Sequence, residues 1–394
     1  MQSREIKPNI YSVGAIDFDR RLFDGLIPLP DGTSYNSYLI RGKEKNVLMD
    51  TVNPNMGNVL LRHLDEVGVK NLDYIIAHHG EQDHSGSIPQ VLNKYPQAKV
   101  IASPRCKTEL IDLLGITEQR IMTVNDKETI PIGDKTLEFI HLPWVHWPET
   151  MVTYLKEDQI LFSCDFLGSH IATSDLFVTD EGRVHEAAKR YFAEIMMPFR
   201  ATIQNNLEKL KDYTIEIVAP SHGPIYDKPK FILEAYRQWV FGEPKNSVVL
   251  PYVSMHGSTG RMVEYLVEAL MDKGVSVQKF ELSGSDIGKL AMALVDAATV
   301  VIGTPTVLAG PHPLAAYVAF LANALRPNVK FVSIIGSYAW GGKAVDVLAG
   351  MIPNLKVEVL EPVICKGLPK EADLKALEKL ASTIAEKHKE NHFM

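Results

Sequence analysis

Cysteine is scarce in this 394-residue chain: Cys106, Cys164 and Cys365 are the only three, and no two form a Cys-x-x-Cys pair. That excludes a disulfide framework and a tetrathiolate iron centre built by the chain itself. Cationic residues are in deficit, 41 Lys and Arg against 48 Asp and Glu, and a net charge of -7 leaves no basic face for nucleic acid. No apolar run approaches the roughly 20 residues needed to span a bilayer, and Met1-Gln2-Ser3-Arg4-Glu5 opens no signal peptide. The expectation is a cytoplasmic protein with no membrane or nucleic-acid partner. A hydrophobic content of 46% and a charged content of 23% are ordinary for a globular chain, and the length exceeds what one core usually holds, so two domains are expected.

The chemistry is concentrated in His79-Gly80-Glu81-Gln82-Asp83-His84, four potential metal ligands in six residues, directly after the apolar segment Leu72 to Ala77. Mixed imidazoles and carboxylates suit a borderline transition metal, and the extra carboxylate favours iron or manganese over zinc. Further candidate ligands each follow a strand-like segment: His146 after Leu137 to Ile140, Asp165 after Ile160 to Cys164, and His222 after Ile215 to Ser221. Loops at strand ends let a rigid scaffold converge distant positions on one point. Glu81, Asp83 and Asp165 would supply three of the roughly four negative charges that balance two divalent ions, leaving room for a hydroxide or water. Trp144 and Trp147 flank His146 as expected walls. His78, His141 and His170 are read as packed neighbours of the ligands, and His63, His185, His312, His388 and His392 as surface residues.

A domain boundary is predicted within Phe241 to Asn246, a short polar stretch with Gly and Pro, giving domains 1–244 and 245–394. Before it, β-like pairs such as Asn36 to Arg41 and Asn46 to Asp50 mix with helical patterns such as Asn58 to Val69. After it, strict βα alternation sets in. Strands are predicted over Ser247 to Val253, Val275 to Leu282, Thr299 to Ile302, Lys330 to Gly336 and Lys356 to Leu360, and the last helix over Glu371 to Glu386. Five strands with interleaved helices make a doubly wound parallel sheet. Ser254-Met255-His256-Gly257-Ser258-Thr259-Gly260 follows its first strand and opens a helix, an arrangement that favours an anion, although similar loops also cap ordinary helices. Gly303-Thr304-Pro305-Thr306-Val307-Leu308 and Gly336-Ser337-Tyr338-Ala339-Trp340-Gly341-Gly342 are expected as loops at the same edge.

Taken together, these motifs resemble the flavodiiron proteins (A-type flavoproteins) over essentially the whole chain. The resemblance implies an α/β fold class: a metallo-β-lactamase-like αβ/βα sandwich followed by a flavodoxin-like doubly wound parallel sheet. Hydrolases of the metallo-β-lactamase superfamily carry HxHxDH, and Glu81 stands here in place of the middle His. Carried over by residue, His79, Glu81 and His146 would bind one iron, Asp83, His84 and His222 the other, and Asp165 would bridge. His84 is the least secure, because some members turn its counterpart away. FMN would be held by Ser254 to Thr259, by Thr304, Pro305, Thr306, Val307 and Leu308, and by Ser337, Tyr338, Ala339, Trp340 and Gly341. Lys343 after Gly341-Gly342 is a small departure near the flavin. Tyr191 and His170 would lie just outside the ligands. The implied activity is reduction of O2 to water, of NO to N2O, or both, with rubredoxin or reduced coenzyme F420 as donor, in a head-to-tail homodimer or a dimer of dimers. Two other readings stay open here: a zinc-dependent hydrolase with an appended flavodoxin domain, and an FMN electron carrier alone.

Overall fold

A computed structural model describes residues 2–394; Met1, the first residue of the N-terminal stretch read above, lies outside them. The chain divides into two units, Met1–Tyr191 with Phe199–Val240, and Phe192–Pro198 with Phe241–Met394.

In the first unit, Arg4–Lys7, Ile10–Ser12, Tyr38–Arg41, Asn46–Met49, Tyr74–Ala77, Lys99–Ala102 and Ile121–Thr123 lie side by side in one sheet, the last four strands parallel. Thr129–Pro131, Thr136–His141, Met151–Leu155, Ile160–Cys164 and Ile217–Pro220 form the second. Period-two alternation decides what each strand faces. Ile40, Val47, Ile76 and Ile101 pack with Phe139, Met151 and Phe162 of the other sheet. Their neighbours Leu39, Leu48, Ile75 and Val100 turn the other way, onto Leu60, Leu64, Val91 and Leu110 of the helices Gly57–Glu66, Ile88–Lys94 and Pro104–Leu114. Apolar residues on both faces of the central strands therefore build the sandwich, and short strands deliver their carboxyl-end loops to one edge.

In the second unit the sheet order is Ser276–Glu281, Lys245–Tyr252, Ala297–Val307, Phe331–Tyr338, then Glu358–Val359 and Val363–Lys366, all parallel. Numbered along the chain this is 2-1-3-4-5, the flavodoxin order. Val248, Leu250, Val301 and Ile335 of the sheet pack with Met262 and Leu266 of helix Ser258–Asp272 and with Leu377, Ala381 and Ile384 of the final helix Glu371–Glu390.

Three strands depart from expectation, the fourth by running on to Tyr338, so that Gly336 to Tyr338 are strand and not loop. The third runs on from Ile302 to Val307, so that Gly303 to Val307 are strand and not loop. Its pairing with Lys245–Tyr252 ends at Gly303, and beyond that point Pro305 faces a ladder on one side only, where the missing N–H is tolerated. The fifth strand is broken into two pieces flanking residues 360–362, where Pro362 cannot donate to the ladder. Among the described residues no helix is long and apolar enough to cross a membrane.

Candidate metal centre and flavin site

Five strands of the first unit set the metal cluster. His79 follows Tyr74–Ala77 by one residue, and Glu81 leads into the short helix Gln82–Ser85 that carries Asp83 and His84. Asp165 directly follows Ile160–Cys164, His222 follows Ile217–Pro220, and His146 lies in the loop between Thr136–His141 and Met151–Leu155. Asp50, just past Asn46–Met49, ties the first of these loops down: its Oδ1 accepts the His78 backbone N–H at 2.9 Å and its Oδ2 pairs with His78 Nδ1 at 2.7 Å.

The ligand atoms of His79, Glu81, His146 and Asp165 lie within 4.8 Å of one another, as do those of Asp83, His84 and His222. Glu81 Oε2 is 3.0 Å from both His79 Nε2 and His146 Nε2. Asp83 is 3.2 Å from His84 Nε2 through Oδ1 and 3.2 Å from His222 Nε2 through Oδ2. Asp165 reaches both groups: Oδ2 is 3.5 Å from His79 Nε2 and from His146 Nε2, while Oδ1 is 3.0 Å from His84 Nε2 and 3.3 Å from His222 Nε2. All seven residues named from the sequence are thus brought to one buried point.

The donor set fits a pair of cations. Both oxygens of Asp83 and of Asp165 are buried without a hydrogen bond, although imidazole nitrogens stand close by, so their lone pairs are left for something other than a protein donor. Burial opposes charge on His146 and His222, yet the surrounding carboxylates raise them to about 9 and about 10. Burial likewise pushes the Asp165 carboxyl up, but the imidazoles of His84, His146 and His222 outweigh it and hold Asp165 well below its ordinary range. A cluster that retains protons so strongly is one whose carboxylates demand positive charge.

Outward hydrogen bonds orient two of the rings. Glu149 Oε1 takes His79 Nδ1 at 2.6 Å, and the Ser34 carbonyl takes His222 Nδ1 at 2.6 Å, so each presents Nε2 inward. His84 Nδ1 has no hydrogen bond; the ring packs against His79 and His222 and turns Nε2 toward Asp83 and Asp165. Cys164 lies within the same distance of His84 and Asp165, a neighbour not anticipated from the sequence, and burial pushes its thiol up.

His170 and Tyr191 flank His222, with ring centroids 4.6 and 5.9 Å from it. Burial keeps the His170 imidazole neutral and the Tyr191 phenol protonated. Trp147 sits edge-on to His79 at 4.8 Å and lines a cleft of about 500 Å³ with Arg20, Phe23, Asp24, Glu81 and Asp83. Trp144 is no wall of the cluster; it is 45% exposed, stacks on Phe199 and lies under Arg105. His63 and His388 are not surface residues either. His63 Nδ1 is 3.0 Å from the carbonyls of Val13 and Gly14, and His388 is buried between Thr299 and Asn246. Asp50, Glu149 and Ser34 escaped the sequence reading because no spacing marks them; only the strand-end position of Asp50, after Asn46–Met49, offered a signal.

In the second unit, Gly257 takes φ +87°, a left-handed conformation that favours glycine, and starts the helix Ser258–Asp272 with no side-chain cap. Ser254 Oγ accepts from the Gly260 N–H at 3.0 Å and Thr259 Oγ1 meets Ser337 Oγ at 3.0 Å, linking the first and third loops. The Lys343 N–H donates to the Ala309 carbonyl at 2.9 Å, linking the second and third. Thr304 Oγ1 is occupied within its own turn, donating to the Pro305 carbonyl and accepting from the His312 N–H. At the tips, Met255, Leu308 and Trp340 are 51%, 93% and 78% exposed. A glycine-led helix start beside three exposed apolar side chains suits a ligand with an anionic end and a flat apolar body, which FMN is.

A family model described as "ODP family beta lactamase" matches residues 33–223. A nitric oxide reductase of Moorella thermoacetica is 33% identical over 389 residues, 96% of this chain and 97% of that one. The rubredoxin oxygen:oxidoreductase structure from Desulfovibrio gigas superposes with a TM-score of 0.95 at 30% identity, covering 98% of this chain and 99% of that chain. The flavodiiron protein structure from Giardia intestinalis gives 0.91 at 29% identity, with 98% of each chain covered. Similarity that runs through both units, together with an HxExDH cluster and a flavodoxin-order sheet, places the chain in the flavodiiron protein family.

Proposed function

We propose that this protein is an oxidoreductase that reduces O2 to water, NO to N2O, or both, with electrons passed through FMN. The observation that carries the reading is the position of Asp165, which offers one oxygen to each of two ligand groups inside a buried seven-residue cluster. His79, Glu81 and His146 would hold one iron and Asp83, His84 and His222 the other, with Asp165 offering an oxygen to each group. When bound, two ferrous ions and a reduced flavin supply the four electrons that take O2 and four protons to two waters, or the two electrons that take two NO and two protons to N2O and water.

The chain's own residues do the positioning. Glu149 and the Ser34 carbonyl hold His79 and His222 with Nε2 inward. The neutral His170 and the protonated Tyr191 keep the His222 side of the site free of added charge. Trp147 narrows the cleft through which a diatomic molecule enters. In the second unit, the amides that open Ser258–Asp272 and the hydroxyls of Ser254, Ser258 and Thr259 would hold the FMN phosphate, while Thr306, the strand end Ser337–Tyr338 and the loop from Ala339 to Gly341 would frame the ring. The division of labour is residues 1–244 for the metals and 245–394 for the flavin.

The functional unit is a cytoplasmic head-to-tail homodimer or a dimer of such dimers, and its electrons come from a separate rubredoxin or from reduced coenzyme F420, since the three scattered cysteines build no rubredoxin-type centre. Metal analysis and turnover test the reading. Iron- and FMN-loaded protein supplied with reduced rubredoxin, or with reduced coenzyme F420 in a parallel assay, should consume O2, NO or both. Two zinc ions per chain with consumption of neither gas would overturn it and return the hydrolase alternative. Sedimentation of a fully active monomer would remove the dimer.

A further inference from the structure

The helix Gln82–Ser85 carries Asp83 and His84 on a single turn, too short to be stable by itself, so its geometry depends on what its backbone groups meet around it. The His84 and Ser85 N–H groups donate to the Glu81 carbonyl at 3.1 and 2.9 Å, and Ser85 Oγ donates to the Gly80 carbonyl at 2.7 Å. The His84 carbonyl, one of the acceptors a helix end leaves open, is taken by Thr51. That residue donates to it twice, through its backbone N–H at 2.8 Å and through Oγ1 at 2.5 Å. Thr51 is fully buried and stands on a fixed base. It follows Asp50, whose left-handed φ of +52° turns the chain at the end of Asn46–Met49. The Asp50 N–H donates to the Ile76 carbonyl at 2.9 Å, and the Asp50 carbonyl accepts from Ser37 Oγ at 2.9 Å.

The imidazoles of the cluster are aimed in two different ways. His79 and His222 are turned by acceptors at Nδ1, Glu149 for one and the Ser34 carbonyl for the other. His84 Nδ1 has no hydrogen bond, yet its Nε2 stands 3.2 Å from Asp83 Oδ1 and 3.0 Å from Asp165 Oδ1. With nothing bonded to the outer edge of the ring, its direction is set at the backbone. Two donors on one carbonyl fix the plane of the peptide that leaves the His84 Cα, and the rings of His79 and His222 then limit rotation of the side chain. We infer that Thr51 is a positioning residue of the metal site, whose hydroxyl keeps His84 aimed into the cluster. The inference rests on the di-iron reading for what His84 would bind. Thr51 bonds the backbone of His84 and not its ring, so its effect on a metal runs through His84 and falls on the group Asp83, His84 and His222.

The experiment compares wild type with Thr51→Val, which keeps the shape and loses the hydroxyl, and with Thr51→Ser, which keeps the hydroxyl. Each is made alone and in a His84→Ala background, and iron affinity is read by chelator competition. Thr51→Val should weaken one of the two irons about two- to tenfold, the loss of one hydrogen bond, and leave the other unchanged. Thr51→Ser should restore the wild-type value. In the His84→Ala background Thr51→Val should have no further effect, because the residue it acts through is gone. Crystal structures of the metal-free proteins give a readout that needs no iron: in Thr51→Val the His84 ring should leave Asp83 and Asp165 while His79 and His222 stay in place. Should Thr51→Val fail to fold, Thr51→Ala carries the same comparisons without added bulk. Unchanged affinity with an unmoved ring, equal weakening of both irons, or additive losses in the His84→Ala background would overturn the inference. Wild-type protein that takes up no iron would sink the di-iron reading instead, and the ring positions would still decide whether Thr51 aims His84.

Discussion

Asp50 grips His78 twice, accepting the backbone N–H through Oδ1 at 2.9 Å and pairing with Nδ1 through Oδ2 at 2.7 Å, while His78 Nε2 meets Thr153 Oγ1 at 2.7 Å on the second sheet. The residue just before the first metal ligand is therefore pinned to both sheets. Burial pushes the Asp50 carboxyl up, but His78 more than offsets it and leaves the group below its ordinary value. The linkage follows from that sign: the stabilisation is present above about pH 3.8 and is lost as pH falls below it. Asp50→Ala strands a buried partner and should cost about 3–5 kcal/mol in urea unfolding at pH 7. It should also lower iron content, because the loop that carries His79 and Glu81 loses its anchor. Retention of full stability would show that His78 is held by packing alone.

Asp165 is the one ligand common to both groups, and this sets its loss apart from the others. Glu81→Ala removes a ligand near His79 and His146 but leaves Asp83, His84 and His222 in place, so about one iron per chain should remain. Asp165→Ala withdraws an oxygen from each group and should leave iron close to zero at the same ligand concentration. Elemental analysis of the two variants decides this. Equal iron content in both would mean that Asp165 serves one group only.

The clustered residues were legible in the sequence for a physical reason. His79, Asp165 and His222 stand within two residues of the end of a short apolar strand and His146 in the loop after another, so chain order and strand pattern together bring them to one neighbourhood. The supports were not legible. Glu149 comes to Gly80 from a loop that no spacing relates to it. Trp144 shares the run around His146, yet its ring turns out to Phe199, because the direction of a side chain in an irregular loop has no period to betray it. In the second unit the order of elements followed from alternation, whereas the extension of the third strand to Val307 rests on pairing with Phe331–Tyr338 and Gly310–Pro311, which no local pattern announces.

Trp340 is 78% exposed at the tip of the loop after Phe331–Tyr338, so its contribution to the fold is small and its contribution to a bound ring is open to measurement. An aromatic pair is worth about 0.5–1.5 kcal/mol beyond its buried area. Trp340→Ala should weaken FMN binding by roughly two- to tenfold, read from fluorescence recovery on flavin release, and shift the stability of the flavin-free protein by less than about 0.5 kcal/mol. Unchanged flavin affinity would remove Trp340 from the ring site.

His388 gives the second unit a pH dependence of its own. On the final helix it is fully buried, with Nδ1 donating to Asn246 Oδ1 at 2.8 Å and Nε2 accepting from the Thr299 hydroxyl at 2.7 Å, an arrangement complete only for the neutral ring. Burial lowers its pKa from 6.5 to about 4. Above about pH 6.5 neither folded nor unfolded chain binds the proton, and stability does not respond. Between about 6.5 and 4 the unfolded chain takes up a proton that the folded chain refuses, so stability falls as pH falls; below about 4 both are protonated and the slope vanishes. His388→Gln keeps a donor and an acceptor but cannot titrate. Urea unfolding of the two proteins from pH 8 to 4, followed by a probe in the second unit, should show the wild-type midpoint dropping more steeply below about 6.5 than that of the variant, with the gap between them closing. Parallel curves over that window would mean that His388 accepts its proton without disturbing the helix.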